Sequence, residues 1–118
     1  MSVQTKRVYA PASSEDGCRV LVDRLWPRGL SKASLRLDEW MKEIAPSSQL
    51  RRRFGHQEGH WAEFQRLYFK ELDGKPALVE QLLQRSRKGT LTLLFAAREE
   101  QHNNAVALKT YLERRLPA

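Results

Sequence analysis

Residues 18–29 read Cys18-Arg19-Val20-Leu21-Val22-Asp23-Arg24-Leu25-Trp26-Pro27-Arg28-Gly29, an apolar run that passes directly into a charged turn. The nearly continuous apolar run over 18–22 is typical of a central strand that is covered on both faces. The turn that follows combines two arginines, a tryptophan and a Pro-x-Gly sequence. We therefore expect a buried strand with a charged loop, residues 23–29, at its carboxyl end.

Apolar periodicity predicts the elements on either side of this strand. Spacing of three and four residues indicates helices over 49–54, 61–72, 76–88 and 105–112, the last extending toward Leu116, and short β-favouring runs indicate strands over 6–10 and 90–97. Residues 37–44 fit either an amphipathic helix or a Trp-bearing strand before Pro46. Strands that alternate with helices predict a single α/β domain over residues 1–118, with a mainly parallel sheet flanked by helices.

Composition limits the class of protein. The chain has 118 residues, a formal net charge of +7 and one cysteine, Cys18, which we expect to be a small core residue. No apolar run reaches the length of a membrane span and no apolar signal segment follows the N-terminus, so we expect a cytoplasmic protein without a membrane partner. The basic charge favours acidic or phosphate-rich partners, nucleic acid included, although the basic residues are scattered along the chain.

The loop over 23–29 indicates an anion site. Two guanidinium groups can hold phosphate or carboxylate in a bidentate way, and the N–H groups of a short helix capped by Ser31 or Ser34 would face the same ligand. The ligand-binding candidates are Arg24, Trp26, Arg28, Lys32, Arg51, His56 and Asn103. A structural corner is an equal alternative, in which Asp23 pairs with an arginine and Trp26 fills the core. A binding role requires at least one arginine without a carboxylate partner.

Asp23 and His102 are the catalytic candidates. His102 and Asn103 follow the second strong strand, at the point where a loop enters the last helix. A histidine there can act as general acid or base, and Asp23 would orient it if the two strand-end loops meet. The alternative is that Asn103 caps the last helix and His102 only packs.

No sequence signature of a common cofactor or metal site is present. The chain lacks glycine-rich phosphate loops, paired-cysteine motifs and the serine-hydrolase elbow. His56 and His60 have metal-ligand spacing, but Gly55 and Gly59 interrupt the helix that such a pair needs. We therefore predict no cofactor and no metal, and any enzyme here would use an arginine-held substrate with a histidine or carboxylate as acid or base.

The run from Arg19 to Gly29 resembles the hallmark of the bacterial YeaO-like proteins, a family whose domain has no established function. Further matches are Trp40 with Lys42, Ala45-Pro46-Ser47, Leu50-Arg51, Phe54 with His56, the series Trp61, Phe64, Tyr68, Glu71 and Leu72, the run 92–95, and His102-Asn103 with Ala105. The resemblance covers nearly the whole chain and implies a compact α/β fold in a cytoplasmic bacterial protein. It brings no activity. Phe95 replaces an expected tyrosine, and Cys18 a common aromatic residue.

Three functions follow from these patterns. The first is binding of an anionic small molecule, such as a nucleotide or a phosphorylated metabolite, between the 23–29 and 98–103 loops, with catalysis as an extension. The second is association with nucleic acid through the basic surface, which would weaken steeply with salt. The third is a structural or interaction module in which the arginines only tie loops together. The sequence does not decide whether the protein is an enzyme.

Overall fold

The computed structural model describes residues 2–54 and 58–117. Four strands are formed, β1 (Ser2–Arg7), β2 (Cys18–Leu21), β3 (Glu39–Trp40) and β4 (Thr90–Phe95). The α-helices are α1 (Lys32–Leu35), α2 (Ser48–Phe54), α3 (Trp61–Asp73), α4 (Pro76–Lys88) and α5 (Asn104–Glu113), and 3-10 turns cover Ser14–Asp16, Lys42–Ile44 and Glu58–His60. This arrangement confirms the predicted α/β class.

The elements with long apolar patterns lie where the sequence predicts them. The ends of β2, β4, α2, α3, α4 and α5 each fall within two residues of the predicted ones. The first strand was predicted over 6–10 and is wrong in extent, because the chain turns after Arg7, where the Ala10 N–H donates to the Arg7 carbonyl. The polar residues before it form the strand instead, since an edge strand tolerates them.

Residues 37–44, for which the sequence left helix and strand open, form the two-residue strand β3 followed by a 3-10 turn. The Met41 N–H donates to the Leu21 carbonyl at 2.9 Å, which holds this segment beside β2. The indole of Trp40 also donates to the Asp23 carbonyl at 2.7 Å. Pairing with β2 therefore outweighs the helical spacing of the apolar residues.

All strand pairs of the sheet are parallel, and the strands lie in the order β1-β4-β2-β3. The last strand in sequence, β4, is thus inserted between β1 and β2. Val20, Leu21, Leu91 and Leu93 are completely buried, as expected for the middle strands of a parallel sheet.

The sheet separates two apolar clusters of different size. The larger contains Val20, Leu93 and Phe95 and is covered by the longer helices. The smaller contains Leu21 and Leu94, which point to the opposite face because side chains alternate along a strand. The segment from Trp26 to Trp40 covers this second face. The chain therefore leaves β2 toward one face of the sheet and leaves the adjacent β4, through α5, toward the other.

A buried ion-pair network fixes the start of β2. Arg19 and Asp16 are 5% and 2% exposed, and Arg19 Nη1 lies 2.5 Å from Asp16 Oδ2, while Lys6 Nζ lies 2.7 Å from Asp16 Oδ1. Gly17 joins the two with a φ of 63°, and a Cβ atom there would come within 2.3 Å of the Thr90 carbonyl oxygen. Only glycine suits this turn.

Candidate functional site

The carboxyl ends of β2 and β4 are joined by hydrogen bonds at Asp23, and the region beyond these two strand ends is called the crevice below. Asp23 Oδ2 accepts a hydrogen bond from the Ala96 N–H at 2.9 Å, and Oδ1 accepts one from Asn104 Nδ2 at 3.0 Å. Asn104 Nδ2 also donates to the Val22 carbonyl at 3.0 Å. The loops that follow the two strands are therefore joined, which the sequence had left open.

The Asp23 carboxylate is held by hydrogen bonds rather than by a cation. Burial raises its pKa, and the Asn104 amide, the Ala96 N–H and the charge of Arg51 act in the opposite direction, but the pKa stays above its ordinary value. No ion pair joins Asp23 to Arg24 or Arg28 in the described residues. The structural corner that the sequence allowed, with Asp23 paired to an arginine, is thus not formed.

Arg24 is the least satisfied charged side chain at the crevice. Its Nη2 donates to the Ala45 carbonyl at 3.3 Å, whereas its Nε is buried without a hydrogen-bond partner among the described residues. Among the side chains that the structure describes, those of residues 2–54 and 59–117, no carboxylate forms an ion pair with it. The condition stated for a binding role, an arginine without a carboxylate partner, is therefore met.

Two residues that the sequence did not single out complete this part of the crevice. Lys75 Nζ donates to the same Ala45 carbonyl as Arg24, at 3.3 Å, and to the Glu43 carbonyl at 2.7 Å. The Tyr68 hydroxyl donates to the adjacent Ile44 carbonyl at 2.7 Å. The series Trp61, Phe64, Tyr68 did mark Tyr68 as a core residue, but no local pattern identifies Lys75, which precedes α4.

Trp26, in the second half of the 23–29 loop, packs into the smaller apolar cluster. Trp26 packs edge-on against Trp40 at a centroid distance of 5.3 Å and donates its indole N–H to the Leu30 carbonyl at 2.7 Å. It fills the smaller core, which corresponds to the structural alternative for this residue. Arg28 and Lys32 are exposed, and α1 is capped by the Ser31 hydroxyl, one of the two predicted caps.

Arg51 and a surface groove lie on the α2 side. Arg51 is exposed on α2, and its positive charge acts to lower the pKa of Asp23. His56, the other basic residue predicted at this rim, lies outside the described residues. A groove of about 350 Å³ between α2 and α3 is lined by Arg53, Lys70 and Glu71 among others, and none of the predicted site residues that the structure describes lines it. We therefore place the candidate site at the strand ends and not in this groove.

Asn104, and not His102, donates a hydrogen bond to Asp23 in the described residues. His102 is exposed, and its ring stacks on Trp61 at a centroid distance of 4.8 Å and an interplanar angle of 19°. Asn103 caps α5, since its Oδ1 accepts from the Val106 N–H at 2.9 Å. The first helical residue, Asn104, then points its amide at Asp23. The start of α5 therefore places Asn104, the residue after the cap, against Asp23, while His102 lies outside the crevice.

A small all-parallel α/β domain with a polar crevice at the ends of its two middle strands is the class of protein that this fold and site define. Residues 2–118 match the family described as the inactive DUF488-N3 subclade, and the chain belongs to this family.

Relatives of the chain occur in several bacteria. The uncharacterized protein YeaO of Escherichia coli (strain K12) is 45% identical over 112 residues, which cover 95% of this chain and 97% of that protein. The uncharacterized protein Rv3073c of Mycobacterium tuberculosis is 37% identical over 113 residues, which cover 96% and 95%. No solved structure matches the chain. None of the helices described here is both long and apolar enough to cross a membrane.

Proposed function

We propose that this protein binds an anionic small molecule, bearing a phosphate or carboxylate group, in the crevice between the carboxyl ends of β2 and β4. The observation that carries the proposal is the incomplete hydrogen bonding of Arg24, a partly buried guanidinium with one contact to a carbonyl and a buried Nε that has no partner among the described residues. A partly buried cation without an anionic partner is less well stabilised than a paired one. A bound anion would accept hydrogen bonds from the part of the guanidinium that is still exposed.

The topology of the sheet supports the same position. The chain leaves β2 and β4 toward opposite faces, and in open parallel sheets ligands bind in the crevice that such a reversal creates beyond the strand ends. Arg51, exposed on the neighbouring helix α2, would contribute long-range attraction for an anion. Arg28 on the loop and Lys32 at the start of α1 are both exposed and would contribute only in this way.

The proposal requires no catalysis. Asp23 uses both carboxylate oxygens on the Ala96 N–H and the Asn104 amide, and His102 stacks on Trp61. Neither group is thus poised to move a proton for the other. The description of the family as an inactive subclade agrees with a binding protein.

Thermal denaturation with a panel of anions tests the proposal. Inorganic phosphate, sulfate, acetate and a nucleoside monophosphate would be added at constant ionic strength, and at least one should raise the melting temperature. A ligand at 100 times its Kd stabilises by about 2.7 kcal/mol, which is several degrees for a domain of this size.

Two variants make the test specific. Arg24→Ala should lose the shift, whereas Lys88→Ala should keep it, because Lys88 is exposed next to the start of β4, at the opposite edge of the sheet. No shift with any anion, or an equal loss in both variants, would overturn the proposal. An equal loss with a steep dependence on salt would favour the nucleic-acid hypothesis instead.

A further inference from the structure

Two cations share one backbone carbonyl at the inner side of the crevice. Arg24 Nη2 and Lys75 Nζ each lie 3.3 Å from the Ala45 carbonyl oxygen. The two nitrogens are thus separated by at most twice that distance. They come from the loop after β2 and from the residue that precedes α4, so only the folded chain brings them together.

The carboxylates nearest to these cations do not neutralise them by direct contact. Glu71 Oε1 accepts from the Ser47 N–H at 2.9 Å and Oε2 from the Ser47 hydroxyl at 2.6 Å. Glu43 offers Lys75 its backbone carbonyl. Within the described chain, neither Arg24 nor Lys75 forms an ion pair.

The electrostatics of Lys75 agree with this geometry. Burial lowers its pKa and the nearby charge of Arg24 lowers it further, while Glu71 and Glu43 act in the opposite direction without restoring the ordinary value. The ammonium group is therefore held where the local negative charge is insufficient. A single neutral carbonyl between two cations provides only partial negative charge.

We infer that Arg24 and Lys75 form a two-cation subsite for a dianionic phosphate group, either inorganic phosphate or a phosphomonoester, in preference to a monocarboxylate. The inference rests on the proposed anion site and adds Lys75 and the charge class of its ligand. Two of the three Lys75 donors are used by carbonyls, and one of the five Arg24 donors is used, so both side chains have N–H groups left for a ligand. A terminal phosphate has enough oxygens to accept from both, and its two negative charges match the two cations.

Isothermal titration of the whole chain with inorganic phosphate and with acetate, at pH 7.5 and constant ionic strength, tests this inference. Wild type should bind phosphate at least about ten-fold more tightly than acetate, one charge-assisted contact being worth that much. Lys75→Gln keeps a donor for the Glu43 carbonyl but removes the charge. It should weaken phosphate binding about ten-fold and leave acetate binding within about two-fold. Lys75→Arg should restore the preference, which a purely structural role for Lys75 would not predict.

Lys88→Gln is the matched control, since it removes the same charge from an exposed site at the far edge of the sheet. If Lys75→Gln fails to fold, Lys75→Met, which also removes the charge and keeps the apolar stem, takes its place with the same expected loss of phosphate affinity. Unchanged phosphate binding in Lys75→Gln, or equal affinity of wild type for phosphate and acetate, would overturn the two-cation subsite and leave the proposed function intact. Absence of binding of any anion to wild type would overturn both.

Discussion

Arg19 lies near the start of β2 and Arg24 lies in the loop after its end, and the two guanidinium groups differ in their hydrogen bonding. Arg19 is buried with every part of its guanidinium used: Nη1 on Asp16, Nη2 on the Leu35 carbonyl at 2.8 Å, and Nε on the Arg36 carbonyl at 3.2 Å. Arg24 has one contact at 3.3 Å and a buried Nε without a described partner. The Arg19 guanidinium is thus used in structural contacts, whereas the Arg24 guanidinium keeps N–H donors for the proposed ligand.

The carboxylates beside these arginines differ in the same way. Burial raises the pKa of Asp16, but hydrogen bonds from Lys6, the Ser13 N–H and Arg19 outweigh burial and bring the pKa below its ordinary value of 3.8. Asp23 has no ion pair in the described residues, and burial raises its pKa above that value. The amino end of β2 is thus neutralised by its own side chains, and the carboxyl end is not. The two ends of β2 thus differ in charge balance, and this difference is what marks one as a structural site and the other as a candidate binding site.

The largest expected effect is on stability, and it separates the two arginines directly. Arg19→Met should destabilise the protein by about 3–5 kcal/mol, because it removes one of the two cations that pair with the buried Asp16 carboxylate and takes the donor away from the Leu35 and Arg36 carbonyls. Arg24→Met should change stability by less than about 1 kcal/mol, or increase it, since the lost contact is weak and the removed charge is unpaired. Urea denaturation measures both. Similar losses in the two variants would show that Arg24 is also a structural residue.

A smaller effect should appear in the pH dependence of stability. The native state holds the Asp16 proton less tightly than the unfolded chain, so the stability from Asp16 is present above about pH 4 and is lost as the pH falls below 3.8 through the lowered pKa. The contribution of Asp23 to stability changes with pH in the opposite direction. The native state holds its proton more tightly, so stability is lost as the pH rises from 3.8 through the raised pKa.

Melting temperatures between pH 3 and 6, measured for wild type, Asp16→Asn and Asp23→Asn, check these signs. Each variant should lose its own component of the pH profile. A carboxyl titration followed by NMR should place Asp16 below and Asp23 above the ordinary value, and the reverse order would contradict the assignment of the two sites.

The smallest effect is expected at Arg28, which extends the comparison to an exposed arginine of the same loop. Arg28→Ala should change stability by less than about 0.5 kcal/mol, because its side chain has no hydrogen bond or ion pair in the described structure. Its effect on phosphate affinity should disappear at high salt, since a distant exposed charge acts only through screened attraction. An effect of Arg28→Ala on affinity as large as that of Arg24→Ala would move the anion site to the outer half of the loop.

Much of the fold can be predicted from the sequence, because α3, α4, β2 and β4 carry long and regular apolar patterns. The placement of the loops after β2 and β4 at one edge of the sheet also follows, since both leave the carboxyl ends of parallel strands. β1 was misplaced because its residues are polar, and its pairing with β4 depends on residues far away in the chain. Local pattern contains no information of this kind.

A position for the candidate site can be proposed from the sequence, but the contacts of its residues cannot. The sequence indicates Asp23 and Arg24 as site residues, yet it assigns Asp23 to His102 where the structure uses Asn104, because the phase of a helix start is uncertain by one or two residues. Lys75 was missed because its relation to Arg24 depends on the position of the Ala45 carbonyl. Such contacts are set by tertiary packing.

The insertion of β4 between β1 and β2 has a consequence for synthesis of the chain. A ribosome adds roughly 5–20 residues per second, so β4 is synthesised several seconds after β1 and β2, the two strands with which it pairs. The strands β2 and β3 can pair before that. During that time β1 has no strand to pair with. Its polar residues, Gln4, Thr5 and Lys6 among them, reduce the tendency of the waiting edge to join another nascent chain. The polar residues that make β1 hard to predict from the sequence thus also reduce its pairing with other chains until β4 is synthesised.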